Sequence, residues 1–162
     1  MAMTPHLLII WHSRTGSCEA LARAAYDSAG RSTQLIAAEA VSPTDLLDAA
    51  GYLFVCPENL ASMSGAMKEM FDRCYYPVLG QLEGRPYATI IAAGSDGEGA
   101  QRQIDRIATG WRLRRVVEQV IVLTHAQTPE KILARKSLTR EQLRQAEEIG
   151  AAMTEGLADG IF

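Results

Sequence analysis

The stretch His12-Ser13-Arg14-Thr15-Gly16-Ser17-Cys18 gathers three hydroxyls, a guanidinium and a glycine directly behind an unbroken apolar run, Leu7 to Trp11. Where such a loop opens a helix, the unpaired N–H groups of the first turn join the hydroxyls to form a cradle for phosphate. The same residues also suit an ordinary capped strand-to-helix turn, and composition alone does not separate the two. Two more loops stand behind apolar runs: Pro57-Glu58-Asn59-Leu60-Ala61 after Tyr52 to Cys56, and Gly94-Ser95-Asp96-Gly97-Glu98-Gly99 after Thr89 to Ala93. The charges of Asp96 and Glu98 would repel a phosphate, so the glycine-rich loop suits an uncharged part of a ligand.

Other chemistries lack their parts. The chain has no GxxxxGK[ST] and no GxGxxG behind its first strand. It also lacks a GxSxG elbow and a CxxxxxR loop, so acyl and phosphoryl transfer have no nucleophile. His6 and His125 have no HxxH or HExxH partner, and Cys18, Cys56 and Cys74 form no CxxC pair, which leaves no metal site to name. Cys18 stands at a helix N-terminus, a position that lowers a thiol pKa, and is the most reactive of the three on paper, although a small buried residue is the commoner role. His12 either reaches the bound group or packs at the strand end. No side chain is assigned as acid, base or nucleophile.

The elements that must position these loops are legible as runs and stripes. Leu7 to Trp11, Tyr52 to Cys56, Thr89 to Ala93 and Val120 to Leu123 are continuously apolar, which predicts strands buried on both faces, as in a parallel sheet. Thr33 to Ala37 is a weaker fifth. Apolar stripes at helical spacing fill the intervals: Leu21, Ala22, Ala25 and Tyr26; Met63, Met67, Met70, Phe71 and Cys74; Ile104, Ile107, Ala108 and Trp111; and Leu143 to Leu157, opened by a capping box at Thr139 and Gln142. The alternation predicts an open, doubly wound α/β sheet of five parallel strands with helices on both faces, whose ligands bind beyond the carboxyl ends of the strands. The polar segment Thr124 to Ser137, with Pro129, reads as a surface connection. Tyr75-Tyr76, just past the second long helix, suit either a subunit contact or a surface turn.

Composition sets outer bounds. A chain of 162 residues, 48% hydrophobic, with 16 Lys and Arg against 19 Asp and Glu, reads as one domain over residues 1–162 that needs no disulfides to build its core. A net charge of −3 gives no footprint for nucleic acid, and Arg112, Arg114 and Arg115 make only a short cluster on what reads as a solvated helix end. No basic leader precedes the first strand, no apolar run nears the roughly 18 residues a membrane span needs, and three unpaired cysteines suit a reducing compartment, so a cytoplasmic location without membrane insertion is expected.

Two motifs resemble one family. Ser13-Arg14-Thr15-Gly16-Ser17 resembles the [ST]-x-T-G-x-[ST] phosphate loop of the flavodoxin superfamily. The segment Pro57 to Arg73, with Ser64-Gly65-Ala66-Met67-Lys68 ahead of Asp72, resembles the loop and helix behind the third strand of FMN-dependent NAD(P)H oxidoreductases, including quinone reductases of the tryptophan-repressor-binding-protein type. The resemblance covers residues 6 to 123. It implies a flavodoxin-like fold with strand order 2-1-3-4-5 and FMN as cofactor. It further implies NADH or NADPH as electron donor, a quinone or other small molecule as acceptor, and assembly as a homodimer or higher oligomer. By the same resemblance Ser13, Arg14, Thr15, Gly16 and Ser17 hold the FMN phosphate; Pro57, Glu58, Asn59, Leu60 and Ala61 line the isoalloxazine; and Gly94, Ser95, Asp96 and Gly97 edge the ring and ribityl chain.

The departures matter too. Electron-carrier flavodoxins sandwich the ring between aromatics, whereas residues 57 to 66 and 94 to 99 contain none. An open ring face and weak acidity favour a reductase over the alternatives, a one-electron carrier or a non-enzymatic binding protein of the same fold. Glu58 replaces a small or hydroxylated residue; its carboxylate would either accept from a flavin N–H or cap the following loop.

Overall fold

The computed structural model describes residues 5–162; the residues before Pro5, part of the stretch in which the sequence shows no basic leader, lie outside the described residues. The four apolar runs form β1 (Leu7–Trp11), β3 (Gly51–Asn59), β5 (Pro86–Ala93) and β7 (Val120–Leu123), and the weaker fifth forms β2 (Thr33–Ala37). These strands are parallel and lie in the order β2-β1-β3-β5-β7, which is 2-1-3-4-5 for the five expected strands. Two extra strands raise the count to seven: β4 (Ser62–Met63), antiparallel on the end of β3, and β6 (Arg114–Arg115), beside the start of β5. Two residues are too few to carry a periodicity, so neither was legible.

Continuous apolarity has the expected cause. Leu8, Ile10, Tyr52, Phe54 and Ile91 face α2 (Pro43–Asp48), α3 (Gly65–Val78) and α4 (Glu98–Gly110), while Leu7, Ile9, Leu53, Val55 and Ile90 face α1 (Ser17–Ala29) and α6 (Arg140–Asp159). Both faces of the sheet are therefore dry, and alternation gives way to uniform burial. The capping box at Thr139 and Gln142 opens α6, and a second, Ser42 with Asp45, opens α2. Helices α1 and α6 touch through backbone: a Cβ on Gly150 would stand 2.2 Å from the Ala25 carbonyl oxygen. Among the described residues, no helix is long and apolar enough to cross a membrane.

Several local expectations are corrected. Met63 belongs to β4, and α3 begins two residues later. Tyr75 and Tyr76 lie inside α3, not past it, because the helix runs through Pro77 to Val78. Tyr75 stacks on Trp111 with ring centroids 5.6 Å apart, while Tyr76 is exposed. The arginine cluster is no helix end: Arg114 and Arg115 form β6, and Arg115 pairs with Asp105.

A polar chain pins α4 to the sheet. Thr89 donates to Gln101 (2.9 Å), Gln101 donates to Asp105 (3.2 Å), and Asp105 also accepts from Tyr87 (2.9 Å) and Arg115. Burial and the adjoining Asp105 carboxylate push the Tyr87 hydroxyl up to about 12. At the other end of the sheet, β3 turns into β4 through Leu60 and Ala61, since Asn59 pairs with Ser62. Both turn residues have positive φ, 54° and 63°. This is the geometry of a two-residue primed turn, which normally selects Asn-Gly. Leu and Ala there cost about 1–2 kcal/mol each.

Two measurements check these points. Because the folded pKa of Tyr87 lies above its ordinary value of 10, its contribution is full below pH 10 and is lost as pH rises toward about 12. Tyr87→Phe should flatten the fall in unfolding free energy across that window, and an unchanged slope would deny the Asp105 coupling. Ala61→Gly should raise stability by about 1 kcal/mol in denaturant unfolding, since glycine relieves the turn but adds freedom to the unfolded chain. A lower midpoint would show that the turn is not strained.

Candidate functional site

Helices α1 and α4 both start at the carboxyl edge of the sheet from a left-handed glycine, Gly16 (φ 98°) and Gly97 (φ 92°), which has no side chain to cap its helix. The first N–H groups of each helix therefore need outside partners. At α4 the partner is Glu58: its carboxylate accepts from the Gly97 N–H at 2.9 Å and the Ala100 N–H at 3.1 Å. Glu58 therefore caps not the loop that follows it in sequence but the glycine-rich loop and the first turn of α4, with both oxygens engaged. Gly97 is also fixed by contact, as a Cβ there would lie 2.6 Å from Ile121.

At α1 the N–H groups stay open. Ser13 Oγ accepts the Gly16 N–H at 3.0 Å, which folds the loop back on itself, and no side chain caps the next amides of α1. Arg14, Thr15 and Ser17 border a cleft of about 510 Å³, within the roughly 300–1,000 Å³ typical of cofactor pockets. Amides, hydroxyls and a guanidinium at one end make a donor set that fits a phosphate ester.

The three loops converge on this cleft. Pro57, Glu58, Asn59, Leu60 and Ala61 line one wall, and Gly94 and Ser95 another. Ser13, Gly16, Asp96 and Gly97 do not line it: Ser13 and Gly16 shape the first loop, exposed Asp96 accepts from the Glu98 N–H, and Gly97 starts α4. No aromatic side chain lines the cleft among the described residues. Leu60, at the hairpin tip, is fully exposed, and Ile132 and Leu133 present a second apolar rim.

The segment Thr124 to Ser137 is the largely exposed surface connection expected, and it carries that second rim. The segment contains α5 (Pro129–Leu133), opened by Thr128, and folds back over the first loop as a strap. The Lys136 N–H donates to the Thr15 carbonyl at 2.8 Å, and Lys136 Nζ lies 3.4 Å from Thr15 Oγ1. The guanidinium of Arg135 lies so close to Gly16 that a Cβ on that glycine would stand 3.1 Å from Arg135 Cζ. Sequence reading missed these residues because nothing local ties them to a loop 120 positions away; the only signal was a basic pair in a polar segment.

The other candidates fall away from the cleft. His12 Nδ1 meets Ser64 Oγ at 2.9 Å and Nε2 lies 3.8 Å from Glu39, so the ring ties β1 to the start of α3. Cys18 is fully buried, and desolvation outweighs the helix N-terminus and pushes its thiol up rather than down. Cys56 is likewise pushed up to about 12 by burial. Neither is a nucleophile. Among the described residues no cluster of His, Cys, Asp and Glu could hold a metal ion.

Solved structures share this fold. A flavodoxin from the domain Archaea superposes with a TM-score of 0.77 at 16% identity, over 94% of this chain and 98% of its own. The flavodiiron protein from Giardia intestinalis gives 0.76 at 18% identity, over 95% of this chain but 36% of its own, so the chain spans about a third of that relative. An NADPH-quinone reductase from P. pentosaceus gives 0.63 at 14% identity, over 90% of this chain and 97% of its own. No curated protein matches the sequence. The sequence model of the NADPH-dependent FMN reductases matches residues 41–128, which hold both the Glu58 loop and the glycine-rich loop. The chain belongs to the NADPH-dependent FMN reductase family, oxidoreductases of flavodoxin-like fold.

Proposed function

We propose that this chain oxidises NADH or NADPH and passes the two electrons, through FMN held in the cleft, to a quinone or another small flat acceptor. The observation that carries this reading is the cleft itself: a phosphate-binding donor set at one end, two backbone-rich loops, and an opening bordered by Leu60, Ile132 and Leu133 with no aromatic shield. Bound FMN supplies the redox chemistry of its ring, and the protein supplies binding and orientation. Ser13, Arg14, Thr15, Gly16 and Ser17 take the phosphate through amides, hydroxyls and one guanidinium. Pro57, Asn59, Leu60 and Ala61 form one wall for the ring, and Gly94 and Ser95 border its edge and the ribityl chain, with Asp96 and Gly97 shaping the loop that carries them. Glu58 acts as a positioning residue, holding the wall and the glycine-rich loop at a fixed separation through the N–H groups it accepts. The apolar rim gives a flat donor or acceptor a surface to stack beside, which a shielded one-electron carrier denies.

Titrating the flavin-free chain with FMN, while the fluorescence of Trp11 and Trp111 is recorded, should give saturable quenching at one FMN per chain. The loaded protein should then oxidise NADH or NADPH faster when a benzoquinone is added. Loaded protein that oxidises neither nucleotide would leave the one-electron carrier, and absence of FMN binding would leave a binding protein of the same fold. Thr15→Glu, which puts a carboxylate where the phosphate is expected, should abolish FMN retention; unchanged affinity would sink the phosphate-loop assignment. Glu58→Ala leaves two helix-end N–H groups without their carboxylate and should cost about 1–3 kcal/mol in unfolding free energy. It should also weaken FMN binding, and a variant of full stability and affinity would deny Glu58 its role.

A further inference from the structure

Three cations gather on one loop. Arg14 and Lys136 line the phosphate end of the cleft, and the Arg135 guanidinium lies against Gly16 at the start of α1. None of the three has an ion-pair partner among the described residues. Like charges brought together without a carboxylate repel one another, and the adjoining α1 N-terminus adds positive potential. Such an arrangement is relieved by an anion of charge near −2.

The strap is built to keep its two cations there. Lys136 Nζ donates to the carbonyls of Ile132 (2.8 Å) and Ala134 (2.7 Å), which closes the end of α5, while the Lys136 N–H holds the Thr15 carbonyl. Beyond it, Leu138 packs into the core beneath α1 and α6. The strap is thus anchored on both sides of Arg135, whose own side chain is exposed and makes no hydrogen bond to compete with a ligand. Gly16 also has a second reason to lack a side chain, since any Cβ would crowd the guanidinium.

We propose that Arg135 and Lys136 form a phosphate clasp: the strap supplies, from the far end of the sequence, the charges that select a flavin bearing a phosphate over one without it. The inference rests on the FMN reading of the cleft and extends it to residues outside the segment matched by the family model. It assigns the strap a direct part in cofactor choice, beyond covering the cleft. The loop's amides and hydroxyls would bind either flavin's neighbouring hydroxyls, but only a dianion gains from the two added charges.

The test compares FMN with riboflavin on the full chain, using flavin fluorescence, for the wild type, Arg135→Gln and the double variant Arg135→Gln/Lys136→Gln. Arg135 is exposed and its neutral replacement leaves the core untouched, so the single variant guards against a folding defect in the double one. FMN affinity should fall severalfold in the single variant, with riboflavin affinity unchanged there, and at least tenfold in the double. The dependence of FMN affinity on salt should become shallower, as removal of phosphate-facing charges requires. Arg135→Lys should recover most of the loss. FMN affinity within twofold of wild type with the same salt dependence would overturn the clasp while leaving the FMN site standing. Equal losses for both flavins would also overturn it, making the strap a cover without charge selection. A wild-type chain that binds neither flavin would overturn the FMN reading and the clasp with it.

Discussion

Backbone N–H groups at the start of a helix must find partners outside it, and at the carboxyl edge of this sheet two helices face that requirement with glycine caps that cannot help. The protein meets it in opposite ways. At α4 a carboxylate from the neighbouring strand end fills the position, which spends the helix end on holding two loops together. At α1 a serine folds the loop back but leaves the following amides free, and cations arrive in place of a carboxylate. One helix end is therefore capped by a carboxylate and the other is not. The polarity of the cleft, charged at one end and neutral at the other, follows from that difference.

The scaffold under this edge has little freedom to shift. Sheet residues are buried on both faces, α1 meets α6 through backbone at Gly150, and the Tyr87 to Arg115 chain fixes α4 against β5. Because interiors of this density transmit small displacements, the core fixes the strand ends and Glu58 then ties the wall to the glycine-rich loop across them. Left-handed non-glycine residues occur at Arg112, at His125 and, as an adjacent pair, at the hairpin tip, where Leu60 and Ala61 lie beside Gly99, on which a Cβ would meet the Ala61 carbonyl oxygen at 2.2 Å. Exposed Leu60 at a left-handed turn breaks two local rules together.

What could be read from the sequence follows from range. Strands β1, β3, β5 and β7 announce themselves because burial on both faces makes every residue apolar, and the Ser13 to Ser17 loop because its residue types sit together. The Thr139 capping box was legible for the same reason, as a pattern spanning four residues. Glu58 was visible as unusual, but the choice between ligand and cap depends on how close α4 comes to β3, which no local pattern encodes. Leu60 and Ala61 carry no turn chemistry, so the primed hairpin left no trace. Arg135 and Lys136 read as solvated charges, since their meeting with Gly16 and Thr15 depends on the packing of α6 against α1.

That packing has a consequence for the order in which the site is made. The loop that begins at Ser13 is synthesised well before the strap and α6 that complete its surroundings. A nascent chain halted before Arg135 carries the whole central sheet yet lacks the helix that covers α1 and the strap that reaches Gly16. The surroundings of this edge are thereby completed only after the whole central sheet has been made, and the first loop spends that interval without the strap that later lies against it.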